Sequence, residues 1–403
     1  MTSNHPCRKI PLTFTGLYIT AMTKVNSPRR ITIREVAAQA GVSAQTVSRV
    51  LNDHPDVAEH TRARVRAVIA QLGYLPNGIA RSLVTQRSRL LGVVASGFQL
   101  FGPAQLLTGI EQQARELGWS VILQVTDAST PQAYARVLAE LVAQNVAGII
   151  WAYPELHTER DRALRLRLQA PPIVFLSMAP QPGAATLNVD NRYGARLATE
   201  HLIARGYRHI GIITGPLTLW SAQQRMFGWQ DALKANDRAP SRQRVVEGDW
   251  TSAGGASCLR RLLERSPETD AVFVSNDQMA LGVLKAADQL GRRVPDDLGV
   301  VGFDDIPEAA FFKPALTTVR HDLLELGRLA VRELHRVIQA HRSGRQPQRR
   351  WCSNRNWCYA RAPERAACAA TAEGGEHLPA GSPRPCLSPE RSEVREPPLH
   401  VAG

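Results

Sequence analysis

Gln45, Ser48 and Arg49 stand close together in the chain and carry donors and acceptors of the kind that read base edges. A guanidinium pairs bidentately with guanine, and a Gln amide pairs with adenine. Chemistry of this kind needs a rigid carrier, and the stretch Ile31–Asn52 supplies one. Thr32 can cap a helix, and Glu35 three residues later completes a capping box. Ile33, Val36, Ala37 and Ala40 recur at helical spacing. Gly41 gives a turn, and Ser43 can cap a second helix. In that helix Val47, Val50 and Leu51 are expected to face inward, leaving Ala44, Gln45, Ser48 and Arg49 outside. Two short helices joined at a glycine make a helix-turn-helix, whose second helix can lie in a DNA major groove. A helical hairpin within a larger bundle has the same local pattern.

The 403 residues suffice for two or three domains with a sizeable core. The net charge of +13 suits a polyanionic partner. The surplus is uneven: Met22–Leu90 holds eleven Lys and Arg against four Asp and Glu. Of six cysteines, Cys352, Cys358, Cys368 and Cys386 fall in the last part of the chain, which is no disulfide framework and fits a reducing cytoplasm. Their spacing matches no zinc site, and no metal or cofactor is implied. No apolar run is long enough for a membrane span, so no membrane partner is expected. Residues 1–30 read as an unstructured extension, with Met22 as an alternative start.

A helix from Glu59 to Leu72 follows the hairpin, with Val65, Val68, Ile69 and Leu72 as its stripe and Gly73 as its stop. Arg62, Arg64 and Arg66 on its surface could touch phosphate or be merely solvated. Next, Asn77 can cap a short helix to about Val84, although Gly78 costs it roughly 1 kcal/mol relative to Ala. Such a segment is a tether when free and a helix when packed. Leu83 has no evident core and could wedge into a minor groove.

From Leu90 strands and helices alternate. Apolar runs fall at 91–95, 121–125, 148–151 and 173–176, then at 210–214, 245–247, 271–275 and 299–302. Helical segments lie between, near 104–117, 131–144, 157–169, 192–205, 223–235, 254–265 and 278–290. This spacing implies parallel sheets covered on both faces, in two similar α/β subdomains with a cleft between them. Ligands bind such sheets at the carboxyl ends of strands.

The stretches TIREVAAQAGVSAQTVSRVLN, YLPNGIARSL, HLIARGYRHIGIITGP, VFVSNDQMALGVLKA, VPDDLGVVGFDD and PALTTVRHDLLELG run in one order over residues 31–345. In that order and spacing the chain resembles the lactose/galactose-repressor family of transcription regulators. The resemblance implies an all-α helix-turn-helix head at 31–75 and a hinge at 76–89. Beyond them it implies an α/β periplasmic-binding-protein-like sensor at 90–345, made of two doubly wound parallel-sheet subdomains. Residues 90–188 with 321–345 would form one subdomain and 189–320 the other. It further implies a homodimer on a near-palindromic double-stranded operator. Thr32, Ser43, Ala44, Gln45, Thr46, Ser48, Arg49 and Asn52 would lie at the DNA, with Asn77, Ala80 and Leu83 in a hinge that folds on it. In the sensor, Arg225, Asn276 and Asp304 match residues that hold effector hydroxyls. Their mixture of donors and acceptors suits a small carbohydrate. Trp250 can stack on an apolar sugar face and Ser96 can hydrogen-bond at the opposite wall. Asn276 and Asp304 also have a purely structural reading, as caps at strand ends. Ala152 and Ser177 stand where the family's best-known member has an asparagine and an aspartate, so its ligand does not carry over.

An enzyme of similar two-lobed build is the competing class. GVVASGFQLFG makes no G-x-G-x-x-G, and no P-loop occurs. A secreted sugar-binding protein would share the sensor fold but has no use for the head. The tail, 346–403, departs from the family, whose last strand reads roughly Leu-x-x-x-Leu-Val-x-Arg. Here Arg, Pro, Ala and Cys dominate without a period or leucine heptads. One choice of codons for Trp351–Ala360, read from the third base, encodes Val-Leu-Gln-Pro-Glu-Leu-Val-Leu-Arg. A frameshift between about Gly344 and Trp351 would explain the tail and predicts a lost edge strand and disorder beyond it.

Overall fold

The computed structural model describes residues 31–74, 88–126, 131–152, 169–180, 185–343, 352–354 and 358–361. Expectations for residues 1–30, for Asn77, Ala80 and Leu83 in the hinge, for the helix near 157–169 and for most of the tail lie outside these. The chain divides into two compact units between Ser88 and Arg89.

The first unit holds α1 (Ile33–Ala40), α2 (Ala44–Leu51) and α3 (Glu59–Leu72). The Thr32 hydroxyl accepts from the Glu35 amide at 3.4 Å while Glu35 Oε2 accepts from the Thr32 amide at 2.7 Å, closing the capping box. Gly41 and Gly73 end α1 and α3 at φ 63° and 60°, a left-handed backbone that glycine adopts without a Cβ clash. Val36, Val47, Val50 and Val65 form the core. Two placements differ from expectation. Ala44 is half-buried against that core, and Leu51 is also only half-buried. Residues 44, 47 and 51 share one helical face, so Ala44 follows Val47 inward. Val57 and Tyr74, from segments that read as loop and linker, complete the core.

Arg62 is neither solvated nor presented to a phosphate. Its side chain is 12% exposed, lies 3.5 Å from Asp53 and 3.4 Å from Glu59, and donates to the His54 carbonyl at 2.9 Å. It staples the 52–58 loop to α3.

The second unit has two lobes. In lobe one, β1 (Leu90–Ala95), β2 (Ser120–Val125), β3 (Gly148–Trp151), β4 (Ile173–Leu176), β5 (Ala185–Val189) and β11 (Cys352–Asn354) form a sheet in the order β11-β5-β4-β3-β1-β2. Its helices are α4 (Phe101–Glu116), α5 (Pro131–Ala143) and α10 (Leu323–Arg342). In lobe two, β6 (Ile210–Thr214), β7 (Val245–Glu247), β8 (Ala271–Val274), β9 (Gly299–Asp304), β10 (Thr317–His321) and β12 (Cys358–Arg361) run in the order β12-β10-β9-β8-β6-β7. Here the helices are α6 (Asn191–Ala204), α7 (Trp220–Lys234), α8 (Ser252–Arg265) and α9 (Asp277–Gln289). Every pairing is parallel except that of β12 with β10. Alternate residues of β1 enter opposite cores, Leu91 and Val93 on one face and Val94 on the other, as a doubly covered sheet requires. Among the described residues the chain passes between lobes three times: after β5, after β10, and between β11 and β12.

Paired helices touch backbone to backbone. A Cβ on Gly109 of α4 would sit 2.0 Å from the Leu324 carbonyl oxygen, and one on Gly327 of α10 would sit 2.2 Å from that of Leu106. Gly255 and Gly282 do the same for α8 and α9, at 2.1 Å from the Met279 oxygen and 1.8 Å from that of Ser252. No larger residue fits at these crossings without prising the helices apart.

The expected loss of an edge strand is corrected in part. β11 pairs with β5 and β12 with β10, so tail residues occupy one edge of each sheet.

Candidate functional site

A cavity of about 240 Å³ opens between the lobes at the carboxyl ends of their strands. It is unequal in chemistry. Lobe one contributes Leu100, Pro103, Leu106, Leu107 and Ile110 from α4 and the turn before it, with Ser96 and Ser177 as its polar points. Lobe two contributes Asn191, Arg225, Asn276, Asp304 and His321. The five residues expected to meet an effector (Ser96, Arg225, Trp250, Asn276 and Asp304) therefore all line one cavity, together with Ala152 and Ser177.

Arg225, in the middle of α7, organises the polar corner. Its Nε donates to Asn191 Oδ1 at 2.9 Å, its Nη1 donates to the Ser275 carbonyl, and Nη1 lies 3.8 Å from Asp304 Oδ1. The guanidinium also stacks 3.8 Å from the centre of the Phe303 ring. A buried cation held this way is pre-oriented before any ligand arrives. Asn276 is more committed than its sequence suggests. Its Oδ1 accepts from the Met279 amide at 2.9 Å, capping α9, and its Nδ2 donates to the Trp250 carbonyl at 3.1 Å. The structural reading of Asn276 is thus realised, with one amide hydrogen left over for a ligand.

Trp250 sits at φ 70°, Ser177 at 56° and Asp304 at 123°, so three cavity residues hold a backbone that non-glycine residues rarely adopt. Strain of this kind persists where the surrounding structure fixes it, and it gathers at binding sites. The Trp250 ring packs where a Cβ on Gly215 would lie, 2.0 Å from Cζ2, so only glycine leaves room for it.

Behind Asp304 lies Asp277. Thr318 Oγ1 donates to it at 2.6 Å and the Ile306 amide at 2.9 Å. Burial, then the neighbouring Asp304 charge, push its carboxyl up to about 7. The unfolded chain loses this proton near the ordinary carboxylate value, while the folded sensor keeps it to near neutrality. Folding stability from this group is therefore highest in acid, falls as pH rises from about 4, and reaches its floor above about 7. Asp277→Asn is expected to flatten the decline between about pH 4 and about pH 7, read from melting curves of parent and variant side by side. An undiminished decline would remove Asp277 as its source.

In the head, Gln45 and Arg49 are exposed on α2 and make no side-chain hydrogen bond among the described residues. Four of the other expected DNA residues, Thr32, Ser43, Thr46 and Asn52, are locally engaged through their side chains. Thr32 closes the capping box, the Ser43 and Thr46 hydroxyls meet at 2.9 Å, and Asn52 Nδ2 donates to the Ser48 carbonyl at 2.9 Å. They set the helix ends, and Gln45 and Arg49 project from the scaffold so formed.

His321 was not singled out from sequence. It terminates β10, lines the cavity, and lies 2.9 Å from Asp304 Oδ1 through Nε2. A histidine placed just before a helix-capping Asp322 was its only signal.

Two family models match the chain: bacterial regulatory proteins of the lacI family over residues 32–77, and a periplasmic binding protein-like domain over 199–355. The lactose operon repressor of Escherichia coli K12 is 36% identical over 309 residues, 77% of this chain and 85% of that protein. The ribose operon repressor of the same strain is 37% identical over 311 residues, 76% and 93% of the respective chains. Among solved structures, a lac repressor dimer bound to operator and the anti-inducer ONPF gives a TM-score of 0.72 at 35% identity, covering 77% of this chain and 94% of that one. A CelR–cellobiose complex gives 0.57 at 31% identity, covering 77% and 94%.

Proposed function

Since the chain belongs to the lacI family of bacterial regulatory proteins, DNA-binding repressors controlled by an effector, we propose a concrete working cycle for it. A homodimer holds a near-palindromic operator, with Gln45 and Arg49 of each head at base edges. A small carbohydrate derivative enters the cavity between the lobes and shifts their arrangement, changing how the paired heads meet the operator. Phe311, 83% exposed, supplies apolar surface that pairing of two copies would cover. The protein works in the cytoplasm as a binding protein and not as a catalyst.

The observation that carries this reading is the split cavity. Arg225, Asn276 and Asp304 can engage ring hydroxyls, whereas the α4 wall offers a hydroxyl almost nothing. A sugar with every hydroxyl free would strand some of them against leucine, so the effector class is a sugar bearing an apolar substituent. The test is an operator shift assay on a palindrome selected from random DNA, run with free hexoses and with their isopropyl and p-nitrophenyl glycosides. The glycosides are expected to alter operator affinity at lower concentration than the free sugars. DNA binding that no sugar in the set alters would end this reading of the sensor.

We further propose that 346–403 arises from a frameshift between about Gly344 and Trp351. β11 and β12 lie close to the residues where the adjacent frame could supply Val-Leu-Gln-Pro-Glu-Leu-Val-Leu-Arg. Restoring that frame is expected to raise the melting temperature, by roughly 1.5–3 kcal/mol of stability for each apolar side chain it buries. A gene whose adjacent frame lacks such a strand would sink the idea.

A further inference from the structure

We propose that His321 is a specificity-determining residue of the effector site, its Nδ1 accepting a hydrogen bond from one hydroxyl of the sugar. The inference rests on the reading of the cavity as the effector site. His321 closes β10, and the β9–β10 register sets Arg320 opposite Asp304, so the next side chain reaches the cavity beside the Asp304 carboxylate. The ring is held on two sides. Nε2 meets Asp304 Oδ1 at 2.9 Å, and the ring stands edge-on to Phe303 with centroids 5.0 Å apart. Its side chain is 2% exposed. A carboxylate only accepts, so the proton of a neutral imidazole belongs on Nε2 and the Nδ1 lone pair faces outward from the pair. That Nδ1 is buried without a hydrogen-bond partner. Buried polar atoms are nearly always satisfied, so an orphan on a residue that lines a ligand cavity marks a place where a partner is delivered.

The surrounding charges favour a neutral partner with a hydroxyl donor. Asp304 and Arg225 already form an ion pair, and Asp277 behind them keeps its proton to near neutrality. Arg225 donates hydrogen bonds and Asp304 accepts them, and in the tautomer protonated at Nε2 His321 adds an acceptor, Nδ1, of fixed direction. Such a group distinguishes a sugar carrying a hydroxyl at that position from one that lacks it or has it in the other configuration.

The test uses the full-length protein and p-nitrophenyl β-glycosides of galactose, glucose and xylose with their monodeoxy counterparts, titrated by calorimetry. The parent should bind one monodeoxy compound roughly tenfold more weakly than its hydroxylated counterpart. His321→Gln keeps an amide at the level of Nε2 for Asp304 and removes Nδ1. It should bind both compounds alike, at the affinity the parent shows for the deoxy sugar. His321→Asn puts an amide oxygen at the level of Nδ1 and should retain part of the discrimination. A Gln variant with parental affinity and discrimination would overturn the role of His321 while leaving the site intact. A parent that binds none of the glycosides would instead overturn the site reading and this inference with it. Melting curves identify a variant that fails to fold, and the remaining variant then decides.

Discussion

Arg225→Ala is expected to leave operator binding in place and to abolish the response to any sugar that shifts the parent. A charge-assisted hydrogen bond to a buried ligand is worth roughly 1.5–3 kcal/mol, a tenfold to hundredfold loss of effector affinity. The geometry adds a second effect. Arg225 also holds Asn191, the Ser275 carbonyl and the Asp304 carboxylate, so truncation leaves these groups buried without it. Breaking a buried pair costs about 3–5 kcal/mol, and the sensor should melt measurably earlier. Arg225→Lys separates the two effects, because it keeps the charge and loses the planar fork. Operator titrations with and without sugar, set beside melting curves, read both. A normal sugar response in the alanine variant would remove Arg225 from the site.

Arg49→Ala should weaken operator binding by roughly 1–3 kcal/mol and relax the sequence preference at the base it reads. The arginine is exposed on α2 and its loss removes no side-chain hydrogen bond or ion pair among the described residues, so the head should keep its stability. Arg62→Ala is expected to do the reverse. A phosphate contact would weaken every DNA sequence equally and reduce the salt dependence. Arg62 instead binds the His54 carbonyl and lies against Asp53 and Glu59. Its removal should lower the melting temperature of the head, with DNA binding recovered on cooling. An Arg49→Ala protein that holds its operator as tightly as the parent would dismiss the recognition-helix assignment.

The contrast between these two arginines shows what a sequence discloses. The helix-turn-helix was legible because capping and periodicity act over three or four residues, and each signal sits beside its effect. Arg62 was not, because its partners come from a loop whose path is set by tertiary packing. Tyr74 was hidden for the same reason: Tyr-Leu-Pro reads as a linker until the core it plugs is known. In the sensor the apolar strands announced themselves, while β5 (ATLNV) and β10 (TTVRH) are broken by polar residues and passed unnoticed as strands. α4 begins at Phe101, earlier than expected, because Gly102 and Pro103 look like breakers yet fit a first helical turn. Arg225, Asn276 and Asp304 were placed by resemblance, since no local pattern joins residues so far apart. His321 escaped notice because only the folded register brings it to Asp304.

The glycine crossing of α4 and α10 has a consequence for how this sensor can change over generations. One side of α4 carries Leu106, Leu107 and Ile110 to the cavity, while Gly109 lies against the backbone of α10. α10 begins two residues after His321. A single helix therefore carries a permissive side and a forbidden one. A substitution at half-buried Leu107 re-tailors the ligand wall at little cost, Leu106 and Ile110 answer to the core of the lobe as well, and any side chain at Gly109 or Gly327 forces the helices apart. Descendants of this protein can drift to new effectors at Leu107 without disturbing the mechanical link to the polar corner. The innovation is confined to one face, and the transmission beneath it is inherited unchanged.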